Sequence, residues 1–156
     1  MSEETSEQAR IIASLRELEA APNYARWIVD SFGATITGRI LEIGAGSGNV
    51  SVELAERGEL TAIEPDDRLA MRLSERLPRC RVIRTTAEEY VGQAPPGSFD
   101  AIVLANVLEH MENDEAMLDS LRPLLGPEGT LAIWVPAFPL LMSRYDRRIG
   151  HVRRYR

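Results

Sequence analysis

The sequence contains no lysine, because all 18 of its basic residues are arginine. This absence excludes a Schiff-base lysine, a lysine general base and the lysine of a phosphate-binding P-loop from the chain. The single cysteine, Cys80, excludes an intrachain disulfide and a multi-thiolate zinc site. Only His110 and His151 provide imidazole groups, so a histidine-rich metal centre is not predicted either.

The sequence also lacks an apolar run long enough to cross a membrane. The longest run, Leu131 to Met142, has 12 residues and contains two prolines, whereas a spanning helix needs about 20 residues. The acidic, polar start Met1-Ser2-Glu3-Glu4 does not resemble a secretory signal. Together with the single cysteine, these features predict a cytoplasmic protein without a membrane span.

The charges are unevenly distributed along the chain. The net charge of −6 argues against a nucleic-acid-binding protein. The first 143 residues hold 12 Arg and 23 acidic residues, whereas the last 13 hold six Arg and one Asp. The basic end is either a solvated surface or an anion-binding loop. The second alternative predicts an anionic small-molecule partner.

The order of apolar and amphipathic stretches predicts the fold. From residue 39 onward, short apolar runs alternate with helical patterns, which is typical of βαβ units in a parallel sheet that is buried on both faces. We therefore predict the α/β class, with a Rossmann-like, doubly wound, mainly parallel sheet of about five strands and flanking helices. The predicted strands are 39–43, 60–64, 81–84, 99–105 and 130–135.

Three regions are predicted along the chain. Residues 1–38 are a helical segment that packs on the core, with one helix over 6–20 and a second from an N-cap at Asn23 to a stop at Gly33. Residues 39–136 form the ligand-binding core. Residues 137–156 form a substrate-loop segment.

A glycine loop follows the first predicted strand. It reads Glu42-Ile43-Gly44-Ala45-Gly46-Ser47-Gly48-Asn49, and its glycines allow a tight turn and a close approach of the backbone to a ligand. Glu64 ends the next predicted strand, twenty residues after Gly44, where a carboxylate can accept two hydrogen bonds from a ribose diol. This pattern predicts a nucleotide-type site at the carboxyl ends of the strands.

Two features of the loop favour a cationic amino-acid nucleoside over a dinucleotide. The spacing is G-x-G-x-G, and Asn49 stands where the G-x-G-x-x-G fingerprint of dinucleotide sites would have its last glycine. The carboxylate of Glu42 beside the loop suits an amine or a sulfonium better than a pyrophosphate.

The loop resembles motif I of class I S-adenosylmethionine-dependent methyltransferases. Thr86–Glu88, Phe99–His110 and Leu121–Gly129 resemble further segments of that family, so the resemblance covers about residues 23–156 and is closest to the ubiquinone-methyltransferase-like branch. It implies S-adenosylmethionine as cofactor and in-line transfer of a methyl group to a small-molecule acceptor. The cofactor-binding residues that it implies are Glu42, Gly44, Ala45, Gly46, Gly48, Asn49, Glu64, Pro65, Thr86, Ala87, Glu88, Ala105 and Asn106.

The resemblance assigns these residues to parts of the cofactor. Glu42 and the glycine loop would hold the methionyl part, Glu64 the ribose, and residues 86–88 the adenine. Ala105 and Asn106 would line the methyl region. The family usually has Asp at the position of Thr86, which leaves Thr86 or Glu88 to bind the adenine amine. One quinone O-methylating group binds a metal with an E-x-x-E-H motif, whose first position is Asn106 here, so we predict no metal.

The two histidines are the candidate catalytic bases, since an imidazole titrates near neutral pH. His110 follows the fourth predicted strand, and its alternative role is to bond the backbone at a helix start. His151 could close over the acceptor with Tyr145 and Asp146, while Arg153 and Arg154 hold an anionic group. The alternative for this segment is a solvated basic end.

Two other functions stay open, an NAD(P)-dependent oxidoreductase and a non-catalytic S-adenosylmethionine-binding module. The resemblance also implies a seven-stranded sheet whose last two strands form a hairpin beside the fifth. The sequence stops at Arg156, so we expect these strands to be absent and the substrate-loop segment to be truncated. The free edge of the fifth strand could then pair with another chain.

Overall fold

A computed structural model describes residues 22–156. The helix predicted over 6–20 lies outside the described residues. The helices are α1 (Pro22–Ser31), α2 (Asn49–Ala55), α3 (Asp67–Arg76), α4 (Ala87–Val91), α5 (Asp114–Leu121) and α6 (Arg144–Arg148). The strands are β1 (Gly38–Ile43), β2 (Gly58–Ile63), β3 (Arg81–Ile83), β4 (Phe99–Ala105) and β5 (Leu125–Trp134).

The strands form one five-stranded sheet in the order β3-β2-β1-β4-β5, and all four pairings are parallel. This confirms the predicted Rossmann-like, doubly wound class. The order reverses between β1 and β4, where Ile43 pairs with Ile63 on one side and with Leu104 on the other. A crevice therefore opens beyond the carboxyl ends of these strands, which is where ligands bind in such sheets.

The sheet is buried on both faces, as its apolar strands predict. Successive side chains of a strand point to opposite faces. In β1, Ile40 belongs to the apolar cluster on one face and Leu41 to the cluster on the other, and both are fully buried. The central strands are thus held by apolar packing on each side, which fixes the loops at their carboxyl ends.

One helix boundary differs from the prediction, and a second helix ends in a 3₁₀ turn. Helix α1 begins at Pro22, not after an N-cap at Asn23, and proline suits the first turn because its missing N–H would have no helical partner there. Helix α5 ends at Leu121 and continues as a 3₁₀ turn over Arg122–Leu124. The cause is Pro123, which cannot continue the α-helical hydrogen bonding.

Strand β5 is longer than predicted, since it begins at Leu125 and not at residue 130. It pairs with β4 from Leu125 onward, and its register shifts between the pairs Phe99–Leu125 and Ala101–Thr130. Residues 126–129 are therefore an excursion inside the strand, as in a large β-bulge. The glycines and proline of this stretch suit a turn, and strand pairing with β4 is present on both sides of it.

Residues 137–156 leave β5 and return to it, and we call this segment the C-terminal strap. It contains a 3₁₀ turn over Pro139–Leu141 and helix α6. Its two ends meet where the Phe138 N–H donates to the Tyr155 carbonyl at 2.8 Å and the Tyr155 N–H donates to the Pro136 carbonyl at 2.9 Å. Among residues 22–156, no helix has the length and apolar character needed to cross a bilayer.

Candidate functional site

The glycine loop is fixed against the end of β2. The N–H groups of Gly44 and Ala45 both donate to the Ile63 carbonyl, at 2.9 and 3.0 Å. Gly44 has a φ of +67°, and a Cβ atom there would lie 2.8 Å from a methyl carbon of Val107. A residue with a side chain is therefore strained at this position both by its backbone and by its contact. The glycine pattern of the sequence reflects this geometry.

Glu64 links the glycine loop to the end of β2. Its buried carboxylate accepts the Gly46 N–H at 2.8 Å with one oxygen and the Asp66 N–H at 3.0 Å with the other. Burial raises the pKa of Glu64, while these two backbone hydrogen bonds oppose the shift. A carboxylate offers about four acceptor positions, so it still has capacity for the two hydroxyls of a diol.

Glu42 is a buried acid without a cation beside it in the described part of the chain. Its carboxylate accepts the Ser51 hydroxyl at 2.5 Å. Burial raises the pKa of Glu42 to about 8, and the nearby charge of Glu64 adds to the shift, although the Ser51 hydrogen bond opposes it. Such a carboxyl group would be stabilised as an anion by a ligand that brings a positive charge.

Glu42 and the glycine loop line a cavity of about 90 Å³ at the switch point of the sheet, and Glu64 lies outside this lining. The hydroxyl oxygen of Ser47 is buried beside it and has no hydrogen-bond partner among the described residues. Such an orphaned group indicates a missing polar partner. The lining residues are Tyr24, Ala25, Ile28, Glu42, Gly44, Ala45, Gly46, Ser47, Asn49, Val50, Ala105 and Asn106.

The sequence favours core packing or cofactor cover for Tyr24 and Trp27, and it did not assign Ile28 or Ser47 to the lining of this cavity. Tyr24 and Ile28 come from α1, and the Tyr24 hydroxyl accepts a hydrogen bond from the Trp134 indole at 3.2 Å. The helical periodicity around Ile28 indicated a buried face, but only the fold shows what that face covers. On the opposite side, Asn106 adopts a φ of +56°, which asparagine tolerates.

The residues predicted to hold an adenine are less closely grouped. The Thr86 hydroxyl accepts the Glu89 N–H at 3.2 Å and so caps α4. Thr86 and Pro65 line a surface cavity of about 450 Å³, and Ala87 is buried in the core. Glu88 lines a different cavity, of about 640 Å³. The structure therefore brings the predicted methionyl residues together and spreads the predicted adenine residues over neighbouring surfaces.

Neither histidine lines the cavity at the glycine loop. His110 is exposed beside the cavity that Glu88 lines, and its ring centre lies 4.8 Å from that of His151 in an edge-to-face contact. The pKa of His110 is lowered by loss of hydration where its ring is in contact with the protein, and by the neighbouring His151. A backbone hydrogen bond at Gly150 opposes this shift. The catalytic role of both histidines stays a prediction.

The imidazole of His151 lies between two acids. Its Nδ1 is 3.2 Å from Asp146 Oδ1, and its Nε2 is 3.8 Å from Glu109 Oε1. The nitrogen and oxygen atoms of Glu109, His110 and His151 spread over distances up to 4.8 Å, whereas ligands around one tetrahedral ion stand about 3.4 Å apart. These atoms are wider apart than a formed site requires. The absence of a metal stays a prediction.

Comparison with known proteins identifies the family. Residues 41–131 match the model of the family described as "Methyltransferase domain", and the chain belongs to this family. A ubiquinone biosynthesis O-methyltransferase of Aeromonas salmonicida is 31% identical over 112 residues, which are 69% of this chain and 47% of the relative. An uncharacterised methyltransferase of Mycobacterium bovis is 29% identical over 133 residues, 85% of this chain and 51% of the relative.

Solved structures support the same fold. The plantazolicin methyltransferase BpumL in complex with SAH superposes with a TM-score of 0.70 at 17% identity, over 88% of this chain and 60% of that one. The DhpI–SAM–HEP complex superposes with a TM-score of 0.66 at 19% identity, over 93% of this chain and 67% of that one. This chain spans about half the length of the curated relatives that it matches.

Proposed function

We propose that the protein binds S-adenosylmethionine at the glycine loop and transfers its methyl group to a small-molecule acceptor. The observation that carries the proposal is the cavity at the switch point, where Glu42 lacks a cation and Ser47 lacks a hydrogen-bond partner among the described residues. An amino acid supplies both missing partners, since its ammonium group pairs with the carboxylate and its carboxylate accepts from the hydroxyl.

The remaining predicted residues complete this assignment. Glu64 would accept the ribose hydroxyls, because its position is fixed by Gly46 and Asp66 while acceptor capacity remains. Pro65 and residues 86–88 would flank the adenine. Ala105 and Asn106 lie at the end of β4 beside the cavity, and they would position the methyl region and exclude water from it.

Bound S-adenosylmethionine would supply a methyl group and a sulfur leaving group for displacement by the acceptor. The protein aligns the reacting atoms and receives the acceptor's proton where one is lost. His110 and His151 stay the proposed bases. His110 has the more accessible ring, since the side chain of His151 is only 9% exposed.

A non-catalytic S-adenosylmethionine-binding module is the second candidate. It is favoured by one observation, that neither histidine lines the cavity in the described part of the chain. The dinucleotide alternative is disfavoured, because Asn49 stands where the dinucleotide fingerprint has its last glycine and a pyrophosphate would bring no positive charge to the buried Glu42.

Methyl transfer is tested by incubating the protein with S-adenosylmethionine labelled at the methyl group and a panel of phenols, amines and carboxylates. Labelled product that disappears in Glu64→Ala is the expected result. Cofactor binding without transfer to any acceptor would instead favour the module. With an acceptor in hand, the pH–rate profiles of the wild type and His110→Asn test the base, since identical profiles would remove His110 from that role.

We also propose an anionic acceptor, association through β5 and a cytoplasmic location. An anionic acceptor is supported by the Arg-rich strap, although Arg153 and Arg154 already pair with Asp114 and Asp146. Association through β5 is supported by its place at the edge of the sheet, where β4 is its one strand neighbour among the described residues. The cytoplasm is proposed as the compartment because the one thiol, Cys80, is free.

A further inference from the structure

A buried acid next to the C-terminal strap has no hydrogen bond for its carboxyl group in the described part of the chain. The side chain of Glu109, in the 3₁₀ turn that follows β4, is completely buried, and neither of its oxygens has a hydrogen-bond partner. The Nε2 atom of His151 lies 3.8 Å from Glu109 Oε1. A carboxylate is strongly disfavoured in such a position unless a proton or a cation accompanies it.

The other side of His151 is fixed by an ionised acid. Asp146 accepts from Ser143 with one oxygen and from Arg154 with the other, at distances of 2.6 Å each. These partners hold the pKa of Asp146 well below its ordinary value despite burial. Asp146 therefore acts only as an acceptor, and the Nδ1 atom of His151 must carry a hydrogen to face it. The remaining question is the proton at Nε2.

Two arrangements of one proton satisfy the Glu109–His151 pair. Either Glu109 is protonated and faces the lone pair of Nε2, or Nε2 is protonated and faces the carboxylate. With no proton, a buried carboxylate would face a lone pair. With two, an imidazolium ion would face a neutral acid next to Arg154. We propose that Glu109 and His151 share a single proton and that this proton fastens the C-terminal strap to the turn after β4.

The backbone transmits this interaction to the strap. The Val152 N–H donates to the Glu109 carbonyl at 2.8 Å, and the His151 N–H donates to the Asp146 carbonyl at 2.9 Å. The shared proton thus lies between the strap and the turn after β4, next to the backbone hydrogen bond that connects them. The ends of the strap are held separately by the contacts between Phe138 and Tyr155, so proton loss releases residues 143–152 and not the whole segment.

The other charged and titratable groups around Glu109 and His151 have partners of their own. From the strap, Asp146 and Arg154 face His151 and neutralise each other, and Tyr155 lies near Glu109. The Tyr155 hydroxyl donates to Asp114, and Arg153 pairs with the same acid. From the turn after β4, the ring of His110 contacts His151. None of these groups supplies a hydrogen bond to the Glu109 carboxyl in the described chain.

The direction of the pH dependence follows from the proton count. With their ordinary pKa values of 4.5 and 6.5, the two groups of an unfolded chain hold one proton only between those values. Burial raises the pKa of Glu109 to about 7 and lowers that of His151. From about pH 6.5 to the pKa of Glu109 the closed strap therefore binds more protons than the open one, so closure weakens as the pH rises through this window and levels off above it.

Hydrogen–deuterium exchange of the Val152 amide between pH 6 and 9 tests the proposal, after division by the exchange rate of an unstructured peptide. Protection in the wild type should fall as the pH rises through about 7, by up to about tenfold per pH unit, and should level off at higher pH once both forms have lost the proton. In Glu109→Gln this fall should be absent, because the amide donates to Nε2 without titrating. The matched control is Glu112→Gln, an exposed neighbour, which should keep the wild-type profile.

A second variant, Glu109→Met, removes the titrating group with an apolar side chain of similar length and should also give a constant profile. Wild-type protection that does not change with pH would overturn the proposal, as would a Glu109→Gln profile that matches the wild type. Protection that collapses on addition of EDTA at every pH would show that a cation, not a proton, occupies the pair, and would overturn it as well.

Discussion

The glycine-loop cavity and the C-terminal strap both bury acidic groups, but the two regions differ in the partners that these groups have. At the cavity, Glu42 has only the Ser51 hydroxyl as a partner, and the Ser47 hydroxyl has none among the described residues. In the strap, the carboxylate of Asp146 accepts hydrogen bonds from Ser143 and Arg154 and faces His151. The first region leaves polar groups for a ligand, whereas the second uses them to hold its own chain.

This difference separates binding from stability. A polar group that is already paired within the chain must lose that partner before it can bind a ligand. An unpaired buried group instead gains a hydrogen-bond partner when a ligand binds. Substitutions at the cavity should therefore change cofactor affinity more than folding, and substitutions in the strap should do the reverse. The following changes test this contrast, from the largest expected effect to the smallest.

Asp146→Ala should destabilise the protein by about 3 kcal/mol, because it leaves Arg154 and His151 without their buried partner. The side chains of Asp146 and Arg154 are 2% and 21% exposed, so solvent screens this pair only partly. Urea denaturation measures the change, and Asp119→Ala, at an exposed acid of α5, is the control. A loss of cofactor affinity with unchanged stability would contradict the contrast.

Glu64→Ala should weaken S-adenosylmethionine binding by about 1.5–3 kcal/mol, the range for hydrogen bonds to a charged group. The loss has two sources, the ribose hydroxyls and the anchor that Glu64 provides for the Gly46 N–H. Isothermal titration calorimetry measures it. Glu59→Gln, at an exposed position of the same strand, should leave the dissociation constant unchanged. An unchanged constant in Glu64→Ala would remove Glu64 from the site.

The affinity for S-adenosylmethionine should rise with pH between 6.5 and 8.5, by up to about tenfold per pH unit below the pKa of Glu42. This pKa is raised to about 8, and an ammonium ligand favours the ionised form, so binding releases a proton. In the protein without ligand the sign is opposite, and stability falls as the pH rises toward 8. Dissociation constants across this range measure the effect. A profile in Glu42→Gln as steep as that of the wild type would assign it to another group.

Thr86→Ala should cost about 1 kcal/mol of stability, as expected for a lost N-cap, and should change cofactor affinity less than twofold. The reason is that the Thr86 hydroxyl is already committed to the Glu89 N–H, which leaves the main chain to contact an adenine. Thr86→Ser keeps the cap and serves as the control. An affinity loss larger than the stability loss would return the hydroxyl to the adenine site.

The sequence predicted the features that depend on local patterns. The alternation of strands and helices placed the five strands, because each apolar run is bounded by turn residues and buried on both faces of the sheet. The glycine loop was found because a tight turn with positive φ restricts residue types at that point, and Glu64 because it follows the next apolar strand. Asp66, a residue type that favours N-caps, accepts the N–H groups of Arg68 and Leu69.

The features that sequence reasoning missed depend on contacts between distant residues. The pairing of Glu109 with His151 joins positions 42 residues apart, and no spacing rule connects a turn after β4 with a strap after β5. The start of β5 at Leu125 was also missed, because β4 supplies the pairing on both sides of residues 126–129. Likewise, no local signal marks the Ser47 hydroxyl as unpartnered, since that depends on the walls of the cavity.

Titration of the protein with S-adenosylmethionine and, separately, with NAD tests the central claim most directly. Glu42 has no cationic partner in the described chain, and the glycine spacing of the loop differs from that of pyrophosphate-binding loops. We therefore expect S-adenosylmethionine to bind with micromolar affinity and NAD to give no measurable binding. Micromolar binding of NAD without binding of S-adenosylmethionine would contradict the account.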